Sequence, residues 1–207
     1  IYKVLPGETI VYDLNNKKIK SSFRTLVKPY SNKKFVKDEF LNLTSKTLKN
    51  SLLGTRKFGI FLSGGIDSSL LAYELNQHIS QLDVFTNKMY PNAIINGEDH
   101  NSDYDAAKRF AKFYKLNHHE VKISPEIIVD EWDNSMKWIE EPRYNWNLPM
   151  YYYTNKYLSK NKVVVTMAGD IGDEIFGGYE KYFNIKHMTN KPKKWRAFLN
   201  IWIRKFF

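Results

Sequence analysis

The chain contains no cysteine. Disulfides, thiolate metal sites and cysteine nucleophiles are therefore excluded within these residues, which suits a reducing, cytoplasmic compartment. No run approaches the roughly 18 to 20 apolar residues that a membrane span needs, and no charged-then-apolar leader opens the chain. The first residue is Ile1 rather than Met, so the expectation is a piece of a longer protein. Internal repeats and low-complexity tracts are lacking as well. From Lys181 onward there is no Asp or Glu, whereas Lys181, Lys186, Lys191, Lys193, Lys194, Arg196, Arg204 and Lys205 are all basic, so most of the net charge of +10 belongs to this tail. Such charge would suit nucleic acid, an anionic membrane surface or a phosphorylated ligand, and its position decides between them. The terminal "WRAFLNIWIRKFF" reads either as a membrane-surface helix or as a core helix whose partners lie beyond Phe207. The second is the expectation, with neither nucleic acid nor a membrane as partner.

What is present is enough for a packed core. Of the 207 residues, 43% are apolar and 15% aromatic, which predicts one domain and part of another. Two β-type runs, "ETIVYDL" and "KKIKSSF", flank Asn15-Asn16 and predict a hairpin. Pro29 and its polar neighbours then read as a linker, which divides the chain into residues 1–30 and 31–207. Helical spacing follows up to Gly54. After it come a strand at "FGIFL", a helix over Asp67 to Gln77, a strand at "LDVFT", a helix over Asp103 to Tyr114 and a strand at "HHEVKI". Helices over Pro125 to Ile139 and Pro149 to Ser159 and a strand at "KVVVTM" complete the pattern. Strands that do not alternate, separated by amphipathic helices, predict an α/β fold: a parallel sheet covered by helices on both faces.

Ligands of such sheets bind beyond the carboxyl ends of the strands. "SGGIDSS" follows one strand and "AGDIGDE" another. In the first, Gly64 and Gly65 permit close backbone approach, the next helix directs its free amides at the turn, and Ser63, Ser68 and Ser69 add hydroxyls. This is an anion cradle with phosphate as its expected occupant. Asp67 would repel phosphate unless a cation intervenes, and Mg²⁺ takes one or two carboxylates plus phosphates; the plain alternative is a first-turn helix charge. In the second, Asp170, Asp173 and Glu174 fall within five residues. Asp173 and Glu174 either favour a helix start or belong to a carboxylate cluster from which Asp173 joins Asp67 in holding one or two Mg²⁺ ions. Glu140 and Glu141 close a helix at its unfavourable end before Pro142, as a solvated end or as a catalytic carboxylate. His118 and His119 should project to opposite faces of a strand, and they read as structural.

"SGGIDSS" resembles the PP-loop of the ATP pyrophosphatases, which include NAD, GMP and asparagine synthetases. "GDIGDEIFGGYEKY" is similar to the "GDGGDELFGGY" type of string in the glutamine-hydrolysing asparagine synthetases, with "SDYDAAKRFAKFYKLNHHEVKISPE" and "IEEP" in the expected order between. The resemblance covers roughly residues 30 to 185 and implies the PP-loop, HUP-like fold, preceded by the last hairpin of an N-terminal glutaminase domain. It implies that Ser63, Gly64, Gly65, Asp67, Ser68 and Ser69 hold pyrophosphate and Mg²⁺, and that Asp173 shares the metal. Leu62, Asn87, Ala168 and Gly169 would border the ATP through their backbone, and Glu140 would help ammonia lose a proton. The implied reaction adenylates the aspartate side chain, releases pyrophosphate and forms asparagine with ammonia that a glutaminase domain draws from glutamine. A homodimer is left open. Ala168 and Ile171 stand where the family usually has Ser and Gly, Asn87 where it usually has an apolar residue, and "RYNWN" differs from its usual segment after Glu-Pro. These departures keep two other readings open, a sister amidotransferase acting on a sugar acid or peptide and a chain that binds ATP without turnover. Without the family's later lobe, these residues alone are expected to be inactive.

Overall fold

The computed structural model describes residues 3–24, 34–52, 54–91, 94–95, 98–99, 101–141, 145 and 147–179. The linker expected near residue 30, the Pro142 helix stop, most of "RYNWN" and the basic tail lie outside the described residues. Residues Ile1–Leu43 and Thr44–Phe207 form two compact units. In the first, β1 (Glu8–Asp13) pairs antiparallel with β2 (Lys18–Phe23), Glu8 opposite Phe23 and Asp13 opposite Lys18. The hairpin that the Asn15-Asn16 signal anticipated is closed by the Asp13 carboxylate, which accepts the Asn15 and Asn16 amides at 2.9 and 3.1 Å in an Asx arrangement. Helix α1 (Lys37–Ser51) begins in this unit and ends in the next, with Asp38 and Glu39 in its first turn and Lys49 in its last, as its dipole favours.

The second unit runs β3 (Phe58–Phe61), α2 (Ile66–Asn76), β4 (Asp83–Met89), β5 (Ile94–Ile95), β6 (Glu98–Asp99), α3 (Ser102–Phe113), β7 (Asn117–Ile123), α4 (Pro125–Asp130), α5 (Trp132–Ile139), α6 (Leu148–Lys160), β8 (Val165–Met167) and α7 (Gly172–Phe176). Its four-stranded sheet has the order β7-β4-β3-β8, and every pair is parallel. The short antiparallel pair β5-β6 was not anticipated by the strand patterns.

Two adjacent crossovers, β3-α2-β4 and β4-α3-β7, advance in one direction, so right-handedness puts α2 and α3 on one face. The return from β7 to β8 passes beyond β3 and places α4 to α6 on the other. The burial agrees. Ile60, Leu62 and Val84 share a core with Ala72, Leu75, Ala107 and Ala111 of α2 and α3. Phe85, Val121 and Ile123 project the opposite way and pack with Leu158 of α6. The α/β parallel sheet with two covered faces is thus observed.

Two elements differ from their expected extent. The helix expected over 125–139 is two, because Glu131 is buried where α4 ends, its carboxylate accepting Lys156 Nζ at 2.5 Å and Asn134 Nδ2 at 2.9 Å. The strand expected over 162–167 is regular only from Val165, because the Val164 and Val165 amides both converge on the Lys57 carbonyl at 3.1 and 3.3 Å. Among the described residues, no helix is long and apolar enough to cross a membrane.

At the amino end of the sheet, Asp83 is a buried carboxylate with Lys57 Nζ at 2.9 Å and His119 Nε2 at 2.6 Å. Burial raises its pKa, but the hydrogen bonds and charges of His119 and Lys57 outweigh that effect and hold the carboxyl below its usual range. The His119 ring stacks on Phe85, while His118 meets Thr86 Oγ1 at 3.0 Å, so the pair does face opposite ways. Asp83→Asn is expected to cost about 2 kcal/mol at pH 7, read from urea unfolding of the complete protein. A depressed folded pKa adds stability above the unfolded value of about 4, and that stability is lost as pH falls through the folded one. The gap between parent and variant should therefore narrow on acidification below about pH 4; a constant gap would refute the ion-pair account.

Candidate functional site

The first loop leaves the sheet at a fixed point. Leu62 is the last residue tied to β4, its amide donating to the Phe85 carbonyl at 2.9 Å and its carbonyl accepting the Thr86 hydroxyl at 2.8 Å. Gly64 then turns with φ +84, a left-handed value that favours glycine. There is a second reason for glycine here: a Cβ on Gly64 would lie 2.6 Å from the Asp103 carbonyl oxygen and 2.8 Å from the Ala107 amide nitrogen of α3. Gly65 caps α2 without any side-chain hydrogen bond, so the first-turn amides of α2 keep their donors for a ligand.

The serines divide. Ser68 is only 3% exposed. Its hydroxyl accepts the Ser63 amide at 3.2 Å and lies 2.9 Å from Ser63 Oγ and 3.3 Å from the Gly65 carbonyl, so it organises the loop from within. Ser63 is exposed and Ser69 half-buried. Asp67 is half-buried in the first turn of α2.

β8 lies beside β3 on the side away from β4. Because β3 and β8 run parallel, the loops that follow them leave the sheet side by side at its carboxyl edge, the crevice position where such sheets bind ligands. Into it the second loop brings Ala168 and Gly169, the exposed Asp170, and α7 with Asp173 and Glu174 in its first turn. The loops touch. A Cβ on Gly169 would lie 2.8 Å from the Ser68 amide nitrogen, and one on Gly172 would lie 2.5 Å from both Cγ and Oδ2 of Asp67. Gly177 (φ 71) ends α7, the Gly178 amide donates to the Asp173 carbonyl at 3.0 Å, and the Tyr179 hydroxyl donates to Glu174 at 2.8 Å.

Asp67 and Asp173 accept no hydrogen bond and pair with no cation among the described residues, which leaves their oxygens free. Nor do three or more His, Asp or Glu side chains gather as a metal group among those residues. Asp170, Asp173 and Glu174, adjacent in sequence, do not form one. The free Asp67 carboxylate in the first turn of α2, with the Gly172 turn that precedes Asp173 against it, nonetheless fits Mg²⁺, which takes one or two carboxylates and completes its shell with phosphate and water.

Other expected residues lie further out. Asn87 turns its side chain toward α6, where Thr154 Oγ1 lies 2.9 Å from its Oδ1. Glu140 is exposed at the end of α5 in left-handed backbone (φ 55), and no hydrogen bond or ion pair joins it to either loop among the described residues. The sequence reading overlooked Gly172 as a contact of Asp67; a glycine directly before the Asp173-Glu174 pair was the available signal.

Ile171 is strained. Its φ of +74 places a β-branched residue in left-handed backbone, yet its side chain is 63% exposed and gains little from packing. Relief of about 1–2 kcal/mol of strain should outweigh the unfolded-chain freedom of glycine, worth about 0.5–1 kcal/mol. Ile171→Gly is thus expected to raise Tm by about 2 °C in a melt of the complete protein; an unchanged or lower Tm would mean that the side chain has stabilising contacts.

The asparagine synthase family model matches residues 39–205. The chain belongs to the asparagine synthase family. It is 30% identical over 164 residues to the mouse asparagine synthetase [glutamine-hydrolyzing], covering 77% of this chain and 28% of that protein. With asparagine synthetase [glutamine-hydrolyzing] 2 of rice, Oryza sativa, identity is 30% over 140 residues, 65% of this chain and 23% of the relative. A putative asparagine synthetase of Methanocaldococcus jannaschii is 26% identical over 190 residues, 88% of this chain and 35% of its own length. The chain thus spans about a quarter to a third of these relatives. Among solved structures, the NH3-dependent NAD synthetase of Campylobacter jejuni aligns over 70% of this chain and 62% of its own at 17% identity, with a TM-score of 0.43.

Proposed function

We propose that this chain is the ATP-using synthetase part of an asparagine synthase, a carbon-nitrogen ligase that forms AMP and pyrophosphate. The observation that carries this reading is the meeting of the two loops at the β3/β8 crevice, where uncapped α2 amides lie beside the free Asp67 carboxylate against Gly172. In this reading the amides after Gly65 and the Ser63 and Ser69 hydroxyls hold the ATP phosphates, and Ser68 keeps the loop in shape. Backbone at Leu62, Asn87, Ala168 and Gly169 borders the nucleotide. Asp67 and Asp173 would hold Mg²⁺, which offsets charge on the departing pyrophosphate.

A carboxylate does not form an amide directly, because its oxygen is a poor leaving group. One carboxylate oxygen of aspartate attacks the α-phosphorus of ATP, the bond to the bridging oxygen breaks, and pyrophosphate leaves from the amide cradle. Ammonia then adds to the acyl carbon of the aspartyl adenylate, loses a proton and expels AMP. Glu140, exposed where it ends α5, is the proposed acceptor of that proton. The ammonia would come from glutamine through a glutaminase domain, in an enzyme working in the cytoplasm as a monomer or homodimer.

The test is pyrophosphate release by the complete protein with ATP, ammonia and a panel of carboxylates. Aspartate should support release. Release with a sugar acid or a peptide but not aspartate would instead support the sister amidotransferase, which the exposed, strained Ile171 favours. No release with any acceptor, together with retained ATP binding, would leave a binding chain without turnover.

A further inference from the structure

Asp67 and Asp173 share an unusual condition. Neither side chain is held by a hydrogen bond or an ion pair among the described residues, so neither spends a lone pair on its own fixation. Each is instead backed by a glycine. The Gly172 Cα faces the Asp67 carboxylate, where a Cβ would lie 2.5 Å from Cγ and Oδ2 and 2.8 Å from Oδ1. Gly178 faces Asp173, where a Cβ would overlap Oδ1 and lie 3.0 Å from Cγ. Gly169 adds a third close approach, 3.0 Å from Asp67 Cβ to its own built Cβ. Neither Gly172 nor Gly178 has positive φ, so left-handed backbone does not explain their lack of a side chain.

We propose that Gly172 and Gly178 are positioning residues that hold the Asp67 and Asp173 carboxylates by van der Waals contact alone, leaving every oxygen lone pair to a divalent cation. The proposal rests on the reading of the site as Mg²⁺-dependent. A hydrogen-bond donor in place of either glycine contact would also orient a carboxylate, but it would compete with the cation for the same oxygen. A bare Cα restricts the rotamers without competing. Any side chain at 172 or 178 would rotate the carboxylate away, and because the displaced atoms are the free end of a flexible side chain, the fold itself loses little.

Binding of Mn²⁺ in the presence of α,β-methylene ATP, followed by electron paramagnetic resonance on the complete protein, tests this without turnover. Gly172→Ala and Gly178→Ala are each expected to weaken Mn²⁺ binding about tenfold or more, with melting temperatures close to the parent's. In an Asp67→Ala background, Gly172→Ala should have no further effect, as a contact that acts only through Asp67 requires. A parent that binds Mn²⁺ no better than Asp67→Ala would overturn the metal reading of the site and this proposal with it. If the parent and Asp67→Ala differ as expected but both alanine variants stay within about twofold of the parent, the proposal alone fails. An equal loss from Gly172→Ala with and without Asp67 would overturn it too, since the damage would then be general.

Discussion

Asp67→Ala and Asp173→Ala are each expected to reduce aspartate-dependent pyrophosphate release by the complete protein about a thousandfold or more, since in the proposed site each removes a ligand of the Mg²⁺ that would offset charge on the departing pyrophosphate. The size of the effect follows from the donor set. In the proposed site the α2 amides and a few hydroxyls would face the phosphates, and Asp67 and Asp173 are carboxylates. Without the cation these carboxylates would hold, they would repel the pyrophosphate they face. The expected loss is in kcat, because the interaction strengthens as negative charge builds on the leaving group. Neither substitution should unfold the chain, because both side chains are partly exposed and make no hydrogen bond or ion pair among the described residues. Steady-state pyrophosphate release with saturating ATP checks this, and retained release in either variant would remove that residue from the metal site.

Gly64→Ala has the largest expected effect on stability. Left-handed backbone costs an alanine about 1–2 kcal/mol. The methyl group would also meet the Asp103 carbonyl oxygen at 2.6 Å, the Ala107 nitrogen at 2.8 Å and Ala106 Cβ at 3.0 Å. Two of these atoms are helix backbone, which does not step aside as a side-chain tip would, so overpacking adds about 1–3 kcal/mol. A total of about 4 kcal/mol corresponds to a fall in Tm of about 8 to 16 °C. The same displacement would lift the loop from α3 and cost ATP affinity. A melt of the purified variant within about 3 °C of the parent would show that α3 gives way and that the contact is not tight.

Much of this was legible in the sequence, for identifiable reasons. The parallel sheet shows as unalternating runs such as "FGIFL" and "LDVFT", because strands covered on both faces need apolar residues in both directions. The loops show because glycine, serine and carboxylate fall together in one turn at a strand end, where a ligand can meet them. What was not legible depends on partners distant in sequence. Glu131 divides a helix because Lys156, 25 residues on, draws its carboxylate. β8 begins late because two amides share the Lys57 carbonyl. Asn87 turns toward α6 because Thr154 meets it there. Gly172 gains its role only once β8 lies beside β3 and its loop reaches Asp67.

The central claim is that a substrate carboxylate attacks the α-phosphorus of ATP in the β3/β8 crevice. The most direct test supplies the complete protein with ATP, ammonia and aspartate labelled with ¹⁸O in its side-chain carboxylate, and reads the AMP by mass spectrometry. One labelled oxygen is expected in each AMP formed, matched by one asparagine. Unlabelled AMP, or ADP and phosphate in its place, would contradict it.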